Sequence, residues 1–321
     1  MLHNFTTQFW PNTIDGLAIG AIYALIALGY TMVYGVMRLI NFAHGEIFMI
    51  GTFASLAVMN LVGFQAPLGG LALVGVFVLC LAGSMAASGG AAVALEFIAY
   101  RPLRKHGSPR IAALIAAIGA SLFLQELFAQ IVVPKIFAPG HGRDFIGTPR
   151  LMNKETLFSI GNGVVRNDKL LVIIAAIVMM ILLDFFVNKT KVGRGIRATS
   201  MDPQTATLMG VNINQIVMLT FLVGGVMAGA AGLFYVLVFE VTKYTIGFIL
   251  GIKAFTAAVM GGIGNLRGAL LGGFILGLIE NWGASVTGSE WKDVIAFSVL
   301  VLILLFRPTG ILGESLQQAR A

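Results

Sequence analysis

The sequence predicts an all-α, polytopic integral membrane protein of about eight transmembrane helices, some of them broken or re-entrant. Three observations predict it. Apolar residues make up 58% of the chain and charged residues only 11%, against roughly 25% charge in a soluble globular protein. The mean hydropathy is +0.91. The apolar residues also gather in runs near the ~20 residues that a helix needs to cross a bilayer core. So few charges cannot cover the surface of a 321-residue chain in water. Lipid is therefore its solvent, and residues 1–321 read as a single membrane domain.

Taken in order, the spans are Ile14–Val36, Ile47–Val62, one within Leu68–Ala99, Ile111–Val133, Leu170–Val187, Ile213–Phe239 and Trp291–Phe306. Met1 to Pro11 lacks the basic start and small-residue cleavage pattern of a signal peptide and is expected to be retained. In the third span, Gly89-Gly90 leaves both one long tilted helix and two pieces open. Between the sixth span and the last, Gly251–Gly283 is apolar but interrupted by Gly261-Gly262-Ile263-Gly264-Asn265 and Arg267-Gly268. Two short or re-entrant helices meeting at a Gly-rich turn are expected there. Irregular backbone at membrane depth survives only where protein or a water-filled path surrounds it.

Net charge is +7, but the basic residues fall in short clusters between spans, with no continuous basic helix or aromatic interleaving, which excludes a nucleic-acid partner. They report topology instead. Met1–Met37 has no Lys or Arg, so the N-terminus is expected outside. Arg38; Arg101, Arg104, Lys105 and Arg110; Lys189, Lys191, Arg194 and Arg197; and the tail with Arg307 are then cytoplasmic. Pro134–Lys169 becomes a long external loop. The single cysteine, Cys80, lies in an apolar run and reads as a small buried hydrophobe. No metal-ligand spacing, P-loop, nucleophile elbow or HExxH pair occurs. No cofactor and no catalytic residue is expected, so the energy for any active transport must come from a partner or an ion gradient.

Two segments stand out. Lys189–Asn212 is the longest polar stretch on the expected cytoplasmic face, with Asp202 as N-cap, Pro203 at the first helical position and Gly210 at the left-handed C-terminal position. A helix over Pro203–Met209 follows. So short a helix is marginal alone in water, and the residues leave an ordinary surface loop and a partner-docking helix both open. In Ile40–Gly51, Asn41, His44 and Glu46 arrive together where the chain re-enters the membrane. Intramembrane ionisable groups usually face a bundle interior or cavity, while nearby Arg38 favours a solvated interface; both readings stand.

Other polar groups read more plainly. Gln125-Glu126 is expected near the outer interface, and Glu280-Asn281, late in the second short helix, carries a similar ambiguity. Glu96 and Asp184 read as solvated helix ends, and Lys253 as snorkelling to the outer interface. Gly224-Gly225, Gly229 and Gly232 read as close helix packing.

The chain resembles the LivH-type permeases of branched-chain amino acid ABC importers. The likeness is carried by GAIYALIALGYTMVYGVMRLINFAHGE (Gly20–Glu46), AYRPLR (Ala99–Arg104), GRGIRATSMD (Gly193–Asp202), ATLMGVN (Ala206–Asn212), KAFTAAVMGGIGNLRGALLGG (Lys253–Gly273) and RPTGILG (Arg307–Gly313). It runs from Gly16 to Gly313 and is thinnest over Leu61–Leu95 and the external loop. Arg267 departs from the smaller residue or proline expected in that turn.

The resemblance implies a multi-pass permease in the bacterial inner membrane, with a homologous second permease, a pair of cytoplasmic ATPases and a soluble substrate-binding protein as partners. It implies that Gly193, Arg194, Arg197, Asp202, Ala206 and Gly210 form an ATPase-coupling segment. It also implies that Asn41, His44, Glu46, Gly261, Gly262 and Gly264 help build the core near the translocation path, where Glu280, as an intramembrane ionisable group, is a further candidate. Urea, a short-chain amide or another amino acid as cargo is the alternative within that architecture. An ion-coupled secondary transporter acting alone is the alternative outside it.

Overall fold

A computed structural model describes residues 2–64 and 67–313. The first residue of the N-terminal start and the end of the C-terminal tail, residues 314–321, lie outside the described residues. The helices are α1 Leu2–Met37, α2 His44–Val62, α3 Gly70–Lys105, α4 Arg110–Phe137, α5 Asn167–Lys189, α6 Lys191–Met201 and α7 Pro203–Leu208. They continue with α8 Ile213–Phe239, α9 Ile246–Gly261, α10 Leu266–Thr287 and α11 Lys292–Phe306. Strand β1 (Ile146–Gly147) pairs antiparallel with β4 (Val241–Thr242), and β2 (Thr156–Ile160) with β3 (Gly163–Arg166) as a hairpin. Among the described residues, seven helices (α1 to α5, α8 and α10) are long and apolar enough to cross a membrane. The shorter α9 and α11 have 16 and 15 residues.

The eighth helix matches the expected span Ile213–Phe239 end for end. The first begins earlier than expected and runs through Pro11, beside which the Thr13 hydroxyl donates to the Phe9 carbonyl at 2.6 Å. The third is not broken at Gly89-Gly90: Gly89 sits inside a continuous helix, against Leu222 and Val226 of α8. Its irregularity lies further on, in a π-helical turn over Glu96–Tyr100 where the Arg101 N–H reaches back to the Glu96 carbonyl. Pro102 follows at once. Proline has no N–H and its ring clashes with the carbonyl four residues back, and a widened turn relieves that clash. The π-helical stretch Phe128–Phe137 of α4 likewise contains a proline, Pro134.

The chain divides into two compact units. One comprises Met32–Asn153 and Leu182–Ile252. Its core is α2, α3 and α8 in close contact, with Gly225, Gly229 and Gly232 of α8 set against Ser84, Ser88 and Gly89 of α3 and Gly51 of α2. Without side chains at these points the backbones approach closely enough for the Ser88 hydroxyl to donate to the Ile47 carbonyl at 2.9 Å. Cys80 is fully buried here. A Cβ on Gly229 would stand 2.9 Å from the Met85 Cα. Gly229→Val is therefore expected to destabilise the bundle by about 1–3 kcal/mol through overpacking, read as a lowered melting temperature in detergent.

The other unit comprises Met1–Thr31, Lys154–Ile181 and Lys253–Ala321. Here α10 packs on α1, Gly273 against Ala24 and Gly277 against Gly16 and Gly20. Trp282 donates to the Thr13 hydroxyl at 3.0 Å and stacks on Phe9 with ring centroids 5.5 Å apart. The Gly-rich turn joins α9 to α10 as the sequence implies, with Gly262 at φ 109° and Gly264 at φ 98°, values that favour glycine. Asn265 caps α10 by accepting from the Arg267 and Gly268 N–H groups. Only one helix of the pair is short, however. Arg267-Gly268 forms the first turn of a 22-residue α10 rather than a second break. The Arg307–Gly313 motif folds back on the turn, Leu312 donating to the Gly261 carbonyl at 2.9 Å and accepting from the Asn265 amide at 2.9 Å.

Candidate functional site

The polar stretch 189–212 forms two helices. The second, α7, has the expected limits within a residue: the Asp202 carboxylate accepts from the Gln204 N–H at 2.9 Å and from the Thr205 hydroxyl. The Thr205 hydroxyl first, then the Thr205 and Gln204 N–H groups, hold that carboxyl below the ordinary aspartate range. Gly210 takes φ 83°, and the Val211 N–H closes the end onto the Ala206 carbonyl. The preceding α6 was not expected. Thr190 caps it by accepting from the Gly193 N–H at 3.0 Å, and Gly193, Ile196 and Thr199, three residues apart, form its buried face. Gly193 rests directly on the Val187 and Phe186 carbonyls, and the Arg197 guanidinium donates to the Val187 carbonyl and, at 3.1 Å, to Asn188. Arg194 points outward and is exposed, while Ala206 is buried.

Sequence reasoning passed over three side chains of this segment. Met201, Leu208 and Met209 are 81%, 86% and 81% exposed. Large apolar residues on a short helix held by its own cap were the available signal.

Asn41, His44 and Glu46 are all buried. Asn41 Oδ1 accepts from the Ala43 N–H at 3.1 Å and from the Tyr100 hydroxyl at 2.8 Å. Glu46 Oε1 accepts from Gln125 Nε2 at 2.8 Å and from the Ser121 hydroxyl at 3.1 Å. Gln125 thus turns toward the bundle, while its neighbour Glu126 is exposed and pairs with Arg143 at 3.1 Å. Adjacent residues on a helix point about 100° apart, so one faces the bundle and the other leaves it. Glu96 is also not solvated, since it is fully buried and receives Arg104 at 2.8 Å. Asp184 is partly exposed.

In the other unit, Glu280 and Lys253 are 3% and 7% exposed. Lys253 Nζ lies 2.7 Å from Glu280 Oε1 and 2.7 Å from Asp293 Oδ1, while the Tyr23 hydroxyl donates to Glu280 Oε2 at 3.0 Å. Lys253 thus turns inward to a carboxylate rather than snorkelling. The pairing makes burial tolerable for both ions, and Tyr23 and Asp293 join a site whose only foreseen members were Glu280 and Asn281. Asn281 donates to the Gly277 carbonyl and accepts from Lys292 at 3.3 Å. Gly261 lies in close backbone contact with Gly268, and Gly262 with Gly310 and Gly313.

Apolar spanning helices, ionisable groups buried inside them and a capped polar segment outside them define a polytopic membrane transport subunit. A family profile described as the permease component of branched-chain amino acid transport systems matches residues 12–304. The chain is 41% identical over 313 residues to the high-affinity branched-chain amino acid transport system permease protein BraD of Pseudomonas aeruginosa, covering 96% of each. It is 37% identical over 319 residues to LivH of Escherichia coli K12, covering 95% of this chain and 96% of that protein. With the probable LivH of Methanocaldococcus jannaschii it shares 29% over 308 residues, 90% of this chain and 88% of that one. The chain belongs to the branched-chain amino acid transport permease family.

Proposed function

We propose that this chain is the permease of an importer that moves branched-chain amino acids across the cytoplasmic membrane, powered by ATP hydrolysed in partner subunits. One observation carries the reading: the docking shape of residues 189–212. A six-residue helix, fixed by its cap, presents Leu208 and, at its C-terminal cap, Met209 almost fully to solvent, and Met201 at the end of the preceding helix is as exposed. Exposed apolar groups on a rigid polar support mark a protein contact. The ATPase is its occupant, with Gly193, Arg194, Arg197, Asp202, Ala206 and Gly210 shaping the coupling segment. This segment and the C-terminus face the cytoplasm, the N-terminus and the loop 134–169 face outward, and the whole is one functional membrane domain. A homologous permease and a soluble binding protein complete the importer. The cargo follows the names of BraD and LivH. Asn41, His44, Glu46, Gly261, Gly262, Gly264 and Glu280 support the translocation path, the ionisable ones being buried as path residues in membranes usually are.

The test is affinity purification of the tagged chain from native membranes, followed by uptake in reconstituted vesicles. P-loop ATPases and a second permease are expected to co-elute, and leucine, isoleucine and valine to compete for uptake where urea and short amides do not. Leu208→Asp with Met209→Asp is expected to reduce recovered ATPase roughly tenfold or more, as loss of an interface anchor does, with the melting temperature unchanged. A chain recovered alone, whose uptake needs an ion gradient and no ATP, overturns the proposal.

A further inference from the structure

We propose that Asn214, Arg104, Glu96 and Tyr100 form a transmission line that carries movement of the 189–212 segment to Asn41 and the buried start of α2. The inference rests on the docking role proposed for that segment and adds the positioning residues through which docking is felt inside the membrane. Each link is on the structure. Asn214 stands in the first turn of α8, just past the end of the docking segment, and its side-chain oxygen accepts from Arg104 at 2.9 Å. The same guanidinium nitrogen donates to Glu96 at 2.8 Å. Glu96 opens the π-helical turn and Tyr100 closes it. The Tyr100 hydroxyl then donates to Asn41 Oδ1, the atom that also holds the Ala43 N–H at the entry to α2. Glu46 lies in the first turn of that helix.

A second tie runs in parallel. The Arg38 guanidinium donates to the Ser200 carbonyl at 2.9 Å, holding the C-terminal end of α6 three residues before Asn41 in the chain.

Two features argue that this line serves more than packing. The Glu96 and Arg104 side chains are 1% and 23% exposed, and a buried ion pair is weak support for stability because apolar residues of like volume do as well or better. The pair also borders a π turn, an irregularity that recurs at functional sites. Contiguous hydrogen-bond and ion-pair networks of this kind are among the physical carriers of energetic coupling over distance.

The test uses the assembled importer in vesicles and reads substrate taken up per ATP hydrolysed. Tyr100→Phe removes only the hydroxyl that reaches Asn41, and Asn214→Ala only the group that receives Arg104. Each is expected to lower that ratio about fivefold or more, the lower end of typical coupling energies, while the ATPase recovered with the permease and its hydrolysis rate stay at the unmodified level. The double variant is expected to be no worse than the poorer single one, because both cut one line. Ratios within about twofold of the unmodified importer, effects that multiply in the double variant, or uptake that falls only in step with assembled complex would each overturn the line. An unmodified chain that brings down no ATPase fails differently: it removes the docking role itself, and the line with it.

Discussion

Lys253→Met is expected to destabilise the protein by about 3–5 kcal/mol, the cost of leaving a buried charge without its partner. Lys253 Nζ lies 2.7 Å from the buried Glu280 carboxylate, whose other oxygen accepts from the neutral Tyr23 hydroxyl. Asp293 cannot take over, since it carries the same charge as Glu280. The measurement is thermal unfolding in detergent followed by a size-exclusion readout of intact protein, with uptake measured in parallel. Lys253→Met combined with Glu280→Leu removes both charges and is expected to recover most of the lost stability. If that double variant folds yet does not transport, Glu280 has a role in the path beyond holding α9 to α10. An unchanged melting temperature in the single variant would show the pair to be solvated.

Glu46→Ala is the second large effect. It strips the acceptor from Gln125 and Ser121, both donating at 2.8 and 3.1 Å inside the bundle. Ser121 is buried and Gln125 partly so; a buried donor left unsatisfied costs about 1–3 kcal/mol, and the vacated volume adds a cavity. Glu46→Gln separates folding from transport. Its amide oxygen accepts the same two bonds, and its NH2 group replaces Oε2, which receives no hydrogen bond among the described residues. Melting close to that of the unmodified protein is expected, with uptake reduced about tenfold or more, 1.4 kcal/mol of barrier, if the carboxylate charge is used in the path. Uptake at the unmodified rate would make Glu46 a packing residue.

The parts of this protein that were legible from sequence are those set by local chemistry. Asp202, Pro203 and Gly210 bracket α7 because a cap, a fixed φ and a left-handed turn each demand particular residue types within a few positions. Ile213–Phe239 is legible because water and lipid sort residues by polarity alone. The small residues of α8 announce close packing for a similar reason.

What stayed hidden depends on distant chain. The partner of Gln125 is not visible until α2 delivers Glu46 beside it, and Lys253 looks free to snorkel until α10 delivers Glu280. The helix α6 was obscured by Gly193 and Gly195, poor helix formers that the structure uses for contact with the Val187 carbonyl and the Ile216 side chain. At Gly89-Gly90 the same preference left a break open, and the structure continues the helix through it, with Gly89 packed on Leu222 and Val226. The irregularity of α3 lies just before Pro102, a residue visible in the sequence.

That π turn has an evolutionary meaning. A turn closed five residues back instead of four holds one residue more than its helix needs, as though a single codon had been inserted and the rest of the helix left to absorb it. Everything beyond it is rotated by about 100° relative to an uninterrupted α-helix. Arg104 meets Glu96 and Asn214 from beyond that turn. A descendant that lost the extra residue would close the turn as plain α-helix and leave the arginine aimed as it is, whereas one that kept the residue and straightened the turn would aim it elsewhere.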